Sequence, residues 1–305
     1  MPSIFEIFFE LLHGDQTMDY FSDDEDDCPV EEIVLDEACG ELLLDYVQLP
    51  DTLIQKHVAS IVRPSLPCSS DGPFSIANLV SLQWDQALLV AKTDPIDKTL
   101  FLNVSISAHP RYPELLQRLR DEDHRLLDVG CSLGQNLRKL AYDGVDTRNL
   151  QGLERKLGLT ELGFDLFQDG DRFRGSFTAG NVLSHADIPG LTDGSFDMVH
   201  AGFLLDRFDE YEQARALKRM IQLLKPKQGS FVFGQQSQIE PCIKTDEFAR
   251  RDSKSEDTRT FREVVRMVEM EMDTEFEVQT DIDRKVTLSV PAVVTTYSYF
   301  TISLR

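Results

Sequence analysis

Basic residues are scarce in this 305-residue chain: 31 Lys and Arg stand against 53 Asp and Glu, a formal net charge of −22. A phosphate backbone would meet long-range repulsion on approach, so a nucleic-acid partner is not expected. Cysteine is sparse too, with five residues at 28, 39, 68, 131 and 242 and no C-x-x-C pair. An odd, widely spaced set predicts a reducing, cytoplasmic setting with no zinc or other metal site. No apolar run reaches about eighteen residues, the length a membrane-spanning helix needs. The opening MPSIFEIFFELLHG is apolar but has no basic stretch and carries Glu6 and Glu10, which speaks against a secretory leader. H-E-x-x-H and the phosphate-loop lysine pattern are missing, which argues against zincin and NTPase chemistry.

The content that is present, 41% hydrophobic over 305 residues, suffices for one large core or a domain with a cap. Ser22 to Asp27, SDDEDD, repels itself, so residues 1–36 read as an acidic, disordered tail. Beyond it, Ala38, Leu42, Leu43, Tyr46 and Val47 form one helical stripe. Pro50 interrupts, and Leu53, Ile54, His57, Val58 and Ile61 form a second. Residues 63–98 are broken by Pro64, Pro67, Gly72 and Pro73 and carry no legible role. Thr99 to Ile106 reads as extended, and His109 to Pro113 introduces a helix through Leu115, Leu116 and Leu119.

The stretch that organises the chain is Arg125 to Gln135, RLLDVGCSLGQ. Leu126 to Val129 is short and apolar, as a buried parallel strand is, and the chain then turns through Gly130 and Gly134 into a helix over Asn136 to Tyr142. Glycine lets the main chain take positive φ and lets a ligand approach it, and the N–H groups that open the helix face that ligand. A dinucleotide fingerprint would need glycine at 132 and 135, where Ser132 and Gln135 stand, so a nicotinamide site is disfavoured. Twenty residues beyond Gly134, Glu154 ends the next strand, where a carboxylate can accept hydrogen bonds from both hydroxyls of a ribose. Further elements alternate: a helix over Leu159 to Gln168, strands at Ser176 to Ala179 and Phe196 to Gly202, a helix over Glu210 to Leu224, and a strand at Ser230 to Gly234. A helix over Thr260 to Met272 and strands near Val286 to Val290 and Tyr297 to Leu304 close the chain. Such alternation predicts a parallel α/β sheet, with an antiparallel hairpin at its edge. His200 leaves the fourth strand at the carboxyl edge, where it could serve as base or orient an acceptor; packing beside a cofactor is the simpler reading.

With these residues in view, the chain resembles the class I S-adenosylmethionine-dependent methyltransferases that tailor fungal polyketides and meroterpenoids. The likeness rests on Asp128, Gly130, Cys131, Gly134, Gln135 and Arg138 in the loop, on Asp143 and Gly144, on Gly152 and Glu154, on Leu162 to Phe167, on His200 to Gly202, and on the lead-in His109, Pro110 and Tyr112. It spans roughly residues 38–62 and 99–305. Three departures accompany it: Ser132 for a glycine, Asn181 for the usual acid at the adenine edge, and the unfamiliar 63–98.

The resemblance implies a Rossmann-like fold with a mostly parallel seven-stranded sheet, an antiparallel C-terminal edge hairpin and an N-terminal helical cap. It divides the chain into the tail, a cap or lid over 37–112, and a cofactor-binding domain over 113–305. It implies S-adenosyl-L-methionine held by Asp128, Gly130, Cys131, Ser132, Gly134, Gln135, Glu154, Asn181, Val182, His200 and Ala201. His109, Tyr112 and Phe203 are its candidates for the acceptor side. The implied reaction is O-methylation of a carboxyl or hydroxyl group on a small polyketide or meroterpenoid, and a homodimer is a candidate assembly that the sequence does not decide. A catalytically silent relative acting through partners is the alternative.

Overall fold

A computed structural model of the chain describes residues 35–62, 102–184, 188–241, 261–287 and 293–305. The expected acidic tail, apart from its last two residues, and the 63–98 segment lie outside the described residues.

Seven strands form one sheet. They are β1 (Leu126–Val129), β2 (Leu150–Glu154), β3 (Ser176–Ala179), β4 (Met198–Gly202), β5 (Phe231–Pro241), β6 (Phe276–Thr287) and β7 (Val293–Leu304). Their order across the sheet is β3-β2-β1-β4-β5-β7-β6. The first five run parallel, whereas β7 pairs antiparallel with both β5 and β6. The implied seven-stranded, mostly parallel Rossmann-like sheet with its antiparallel edge hairpin is therefore present. The order reverses between β1 and β4, the kind of point where open α/β sheets leave a crevice at the carboxyl ends of their strands.

Strands β1 and β2 are buried at every position, because helices cover both faces. Leu126 of β1, Met198 of β4 and Phe231 and Phe233 of β5 join one apolar cluster; Leu127, Val129, Val199 and Val232 join the other. The first cluster also takes in α1 (Glu37–Glu41, continued by a π-helical turn Leu42–Tyr46), α2 (Asp51–Val62), α3 (Tyr112–Asp121), α4 (Gln135–Tyr142) and α5 (Leu157–Phe167). The second takes α6 (Glu210–Leu223) and α7 (Phe261–Met272).

Cys39, Leu42, Leu43, Ile54 and Val58 of the N-terminal helices lie in the same cluster as Leu126 of β1. The expected boundary at 112/113 thus marks no break in the packing. The Tyr46 hydroxyl donates to Asp169 Oδ2 at 2.8 Å and fastens the N-terminal helices to the loop after α5. Ser105 and Ile106, expected as extended, instead open a 3₁₀ turn over 105–108 in which the Ser107 hydroxyl donates to the Val104 carbonyl at 3.2 Å. This is the local side-chain competition that draws serine out of strands. The edge hairpin begins at Phe276, ten residues before the expected Val286.

Candidate functional site

The turn between β1 and α4 takes left-handed backbone at three places: Gly130 at φ +72°, Ser132 at +52° and Gly134 at +73°. The Gly130 amide donates to the Leu153 carbonyl at 2.8 Å, tying the loop to the end of β2. There Glu154 Oε2 accepts from the Ser132 amide and Oε1 from the Lys156 amide, both at 3.1 Å. The carboxylate is only 4% exposed, so backbone donors hold it where water scarcely reaches.

From underneath, Arg138 of α4 braces the loop. It is fully buried, donates to the Leu133 carbonyl at 2.7 Å, and grips both oxygens of Asp169 at 2.8 and 3.0 Å. A Cβ on Gly134 would lie 2.6 Å from Arg138 Nη1 and 2.9 Å from the Phe177 ring. Gly134 is therefore required by the packing below the loop as well as by its φ.

These elements open into a cavity of about 510 Å³ at the carboxyl ends of the parallel strands. It falls within the range of small-molecule sites, ~300–1,000 Å³. Gly130, Ser132, Glu154, Asn181 and Val182 line it, together with Arg155, Gly202, Leu204, Arg207 and Phe208. Asn181 Oδ1 accepts from the Leu183 amide at 3.0 Å, so the side chain shapes its own turn. Leu204, Arg207 and Phe208 belong to the first turn after β4, where no motif marks them in the sequence. Among the described residues, none of the N-terminal helices 37–62 lines the cavity.

Other expected site residues lie beneath the cavity or away from it. Asp128 and His200 are 1% exposed, and the His200 ring donates through Nδ1 to Asp128 Oδ1 at 2.7 Å, leaving Nε2 as its remaining nitrogen. The Cys131 thiol points inward, since a Cβ on Gly152 would lie 2.6 Å from its sulfur; burial, then the charges of Asp128 and Glu154, push that thiol well above its ordinary pKa. Gln135 is buried beneath the loop and donates to the Asn103 carbonyl at 3.4 Å. Ala201 packs in the cluster on the opposite face.

His109 accepts from the Arg111 amide at Nδ1 and donates from Nε2 to the Phe300 carbonyl, each at 3.2 Å, so both nitrogens are used. Burial holds its pKa down near 4 and keeps it neutral at pH 7. Tyr112 gives its hydroxyl to Asp143, the C-cap of α4. An eight-residue helix places that cap about 12 Å from the glycine turn. Tyr112 is therefore a packing residue of α3 against α4, not a wall of the cavity. Phe203 holds φ +54° just after β4 and donates its amide to the Gln235 carbonyl at 2.9 Å.

Residues 130–134 also spell G-x-S-x-G, and Ser132 sits in a strand-to-helix turn as a hydrolase nucleophile would. Among the described residues no hydrogen bond joins Ser132 to a histidine, and the one histidine buried beside the loop is committed to Asp128. The loop therefore lacks the base that a nucleophilic serine needs.

Residues 107–258 match the sequence profile of a family described as a methyltransferase domain. These residues belong to the methyltransferase-domain family. Relatives include an O-methyltransferase of Stereocaulon alpinum, 34% identical over 204 residues that make up 66% of this chain and 52% of the relative. The asnovolin E/chermesin D methyltransferase of Aspergillus novofumigatus is 35% identical over 201 residues, 66% of this chain and 64% of the relative. A methyltransferase of Penicillium roqueforti is 39% identical over 150 residues, 48% and 53%. The chain thus spans between about half and just under two thirds of the length of these relatives. S-adenosylmethionine is the cofactor of such a domain, and the residues present fit it. A backbone turn with little side-chain cover and a buried carboxylate face one cleft at the β1/β4 switch point.

Proposed function

We propose that the chain is an S-adenosylmethionine-dependent methyltransferase that acts on an oxygen of a small polyketide or meroterpenoid intermediate in fungal secondary metabolism. The observation that carries this reading is the joining of the glycine turn and Glu154 in one cleft. Gly130 and Ser132 offer main chain at close approach, Glu154 offers carboxylate oxygens to a ribose, and Asn181 and Val182 border the adenine end. When bound, the cofactor supplies an electrophilic methyl group.

The chain's own task is alignment, exclusion of water and control of one proton. Well-oriented reactants can gain roughly 7–11 kcal/mol of the barrier from proximity alone. His200 Nε2 is the group we assign to hold or accept the acceptor's proton. Asp128 acts as a positioning residue, fixing the imidazole through the 2.7 Å bond to Nδ1. The reducing, cytoplasmic setting read from cysteine usage is compatible with the free, buried Cys39 and Cys131.

The test is methyl transfer from isotope-labelled S-adenosylmethionine to a panel of polyketide and terpenoid acids and phenols. Labelled product is expected from the wild type. His200→Gln is expected to lower turnover of a phenolic acceptor by ~10²-fold or more, with S-adenosylhomocysteine affinity retained. Asp128→Asn is expected to shift the pH profile of kcat. Cofactor binding with no labelled product from any acceptor would favour the silent, partner-binding alternative.

A further inference from the structure

Beside the cofactor site the sheet register brings one further polar side chain, Gln235, next to the row that holds His200. Strand register aligns Asp128, His200, Phe233 and Thr301 across β1, β4, β5 and β7. One step toward the carboxyl ends, Gly202, Gln235 and Tyr299 stand abreast. Residues two apart on a strand share a face, so Gln235 stands on the face that holds His200 and Phe233, whose ring centroids are 4.9 Å apart.

Gln235 is 5% exposed, and its Oε1 has no hydrogen-bond partner among the described residues. A buried amide oxygen left in this state is destabilising and asks for a donor. Two of the described side chains near it supply none. Phe233 is apolar, and both nitrogens of His109, packed edge-on at 5.1 Å from Phe233, are already engaged. Nor is the position remote from the chemistry. Its neighbour on β4, Gly202, borders the cofactor cavity, and the space a side chain would take there is filled by Ser105 Oγ and the His200 ring. The Phe203 amide, in its left-handed turn, holds the Gln235 carbonyl at 2.9 Å and fixes the backbone from which the amide side chain projects.

We propose that Gln235 is the specificity-determining residue for the acceptor, accepting a hydrogen bond from an O–H carried beside the oxygen that is methylated. The acceptor class is then a hydroxylated acid or enol with two neighbouring oxygens, one at His200 and one at Gln235. This inference rests on the methyltransferase reading above.

The probes are salicylate, which carries an O–H next to its carboxylate, and 2-methoxybenzoate, which keeps the oxygen but lacks the donor. Binding of each is measured by saturation-transfer NMR to protein saturated with S-adenosylhomocysteine. The wild type is expected to favour salicylate by about tenfold, the worth of one hydrogen bond. Gln235→Leu, and Gln235→Met should the first variant fold poorly, are expected to abolish that preference while S-adenosylhomocysteine affinity stays unchanged. Equal binding of the two probes by the wild type, no salicylate binding, or a preference that survives in the variants overturns the assignment of Gln235 alone. Failure of the wild type to bind S-adenosylhomocysteine overturns the function on which it rests, and this inference with it.

Discussion

Ser132 occupies a left-handed position, φ +52°, where the resembling loops carry glycine, and a residue with a Cβ is disfavoured there by about 1–2 kcal/mol. Ser132→Gly should therefore stabilise the fold by up to about 1 kcal/mol, a rise in Tm of roughly 2 °C, measured by thermal unfolding. Gly134→Ala should do the reverse and lose more, because its Cβ would press on Arg138 and Phe177 in addition to the cost of φ +73°. His109 yields a prediction with a definite sign. Burial lowers its pKa from an ordinary 6.5 to about 4, so the folded state favours the neutral ring. Its contribution is fully present above pH ~6.5 and disappears as pH falls toward 4, about 3 kcal/mol in all. Wild-type Tm should drop between pH 7 and 5, and His109→Gln should flatten that slope.

At the scale of elements, α4 and the loop after α5 are clamped by the Arg138–Asp169 pair, both side chains 0% exposed, with the guanidinium among the rings of Phe164, Phe167, Phe173 and Phe177. Removing one member leaves a buried charge unpaired, so Asp169→Asn should cost about 3–5 kcal/mol in urea unfolding. The double variant Arg138→Met/Asp169→Leu should recover much of that loss. A cost near zero for Asp169→Asn would contradict the clamp. This device was not legible in the sequence: the partners lie 31 residues apart, and Arg138 looked like one more motif position on a helix. Strand β1, its turn and α4 were legible, because an apolar run, spaced glycines and a helical stripe are local signals. The beginning of β6 was missed because Glu277, Gln279 and Asp281 make it as polar as a loop, as suits an edge strand that avoids pairing with other chains.

Across the whole molecule, strand order and the cleft follow from alternation plus one reversal at β1/β4, and the alternation was readable from sequence. The direction each loop residue faces was not. Gly130, Ser132 and Glu154 turn to the cleft, while Asp128, Cys131, Gln135 and Ala201 turn inward and Tyr112 binds the far end of α4. Residue spacing gives membership of a loop, whereas facing depends on partners such as Gly152, His200 and Asp143 contributed from elsewhere in the chain.

That division supplies the most direct test, a calorimetric titration of S-adenosylhomocysteine into wild type, Glu154→Ala and Asp128→Asn. The account predicts micromolar binding by the wild type. Glu154→Ala should weaken it about 10- to 100-fold, the worth of hydrogen bonds to a charged group, and Asp128→Asn should leave it within a few-fold. Unchanged affinity in Glu154→Ala, or no binding by the folded wild type, would contradict the assignment of this cleft to the cofactor.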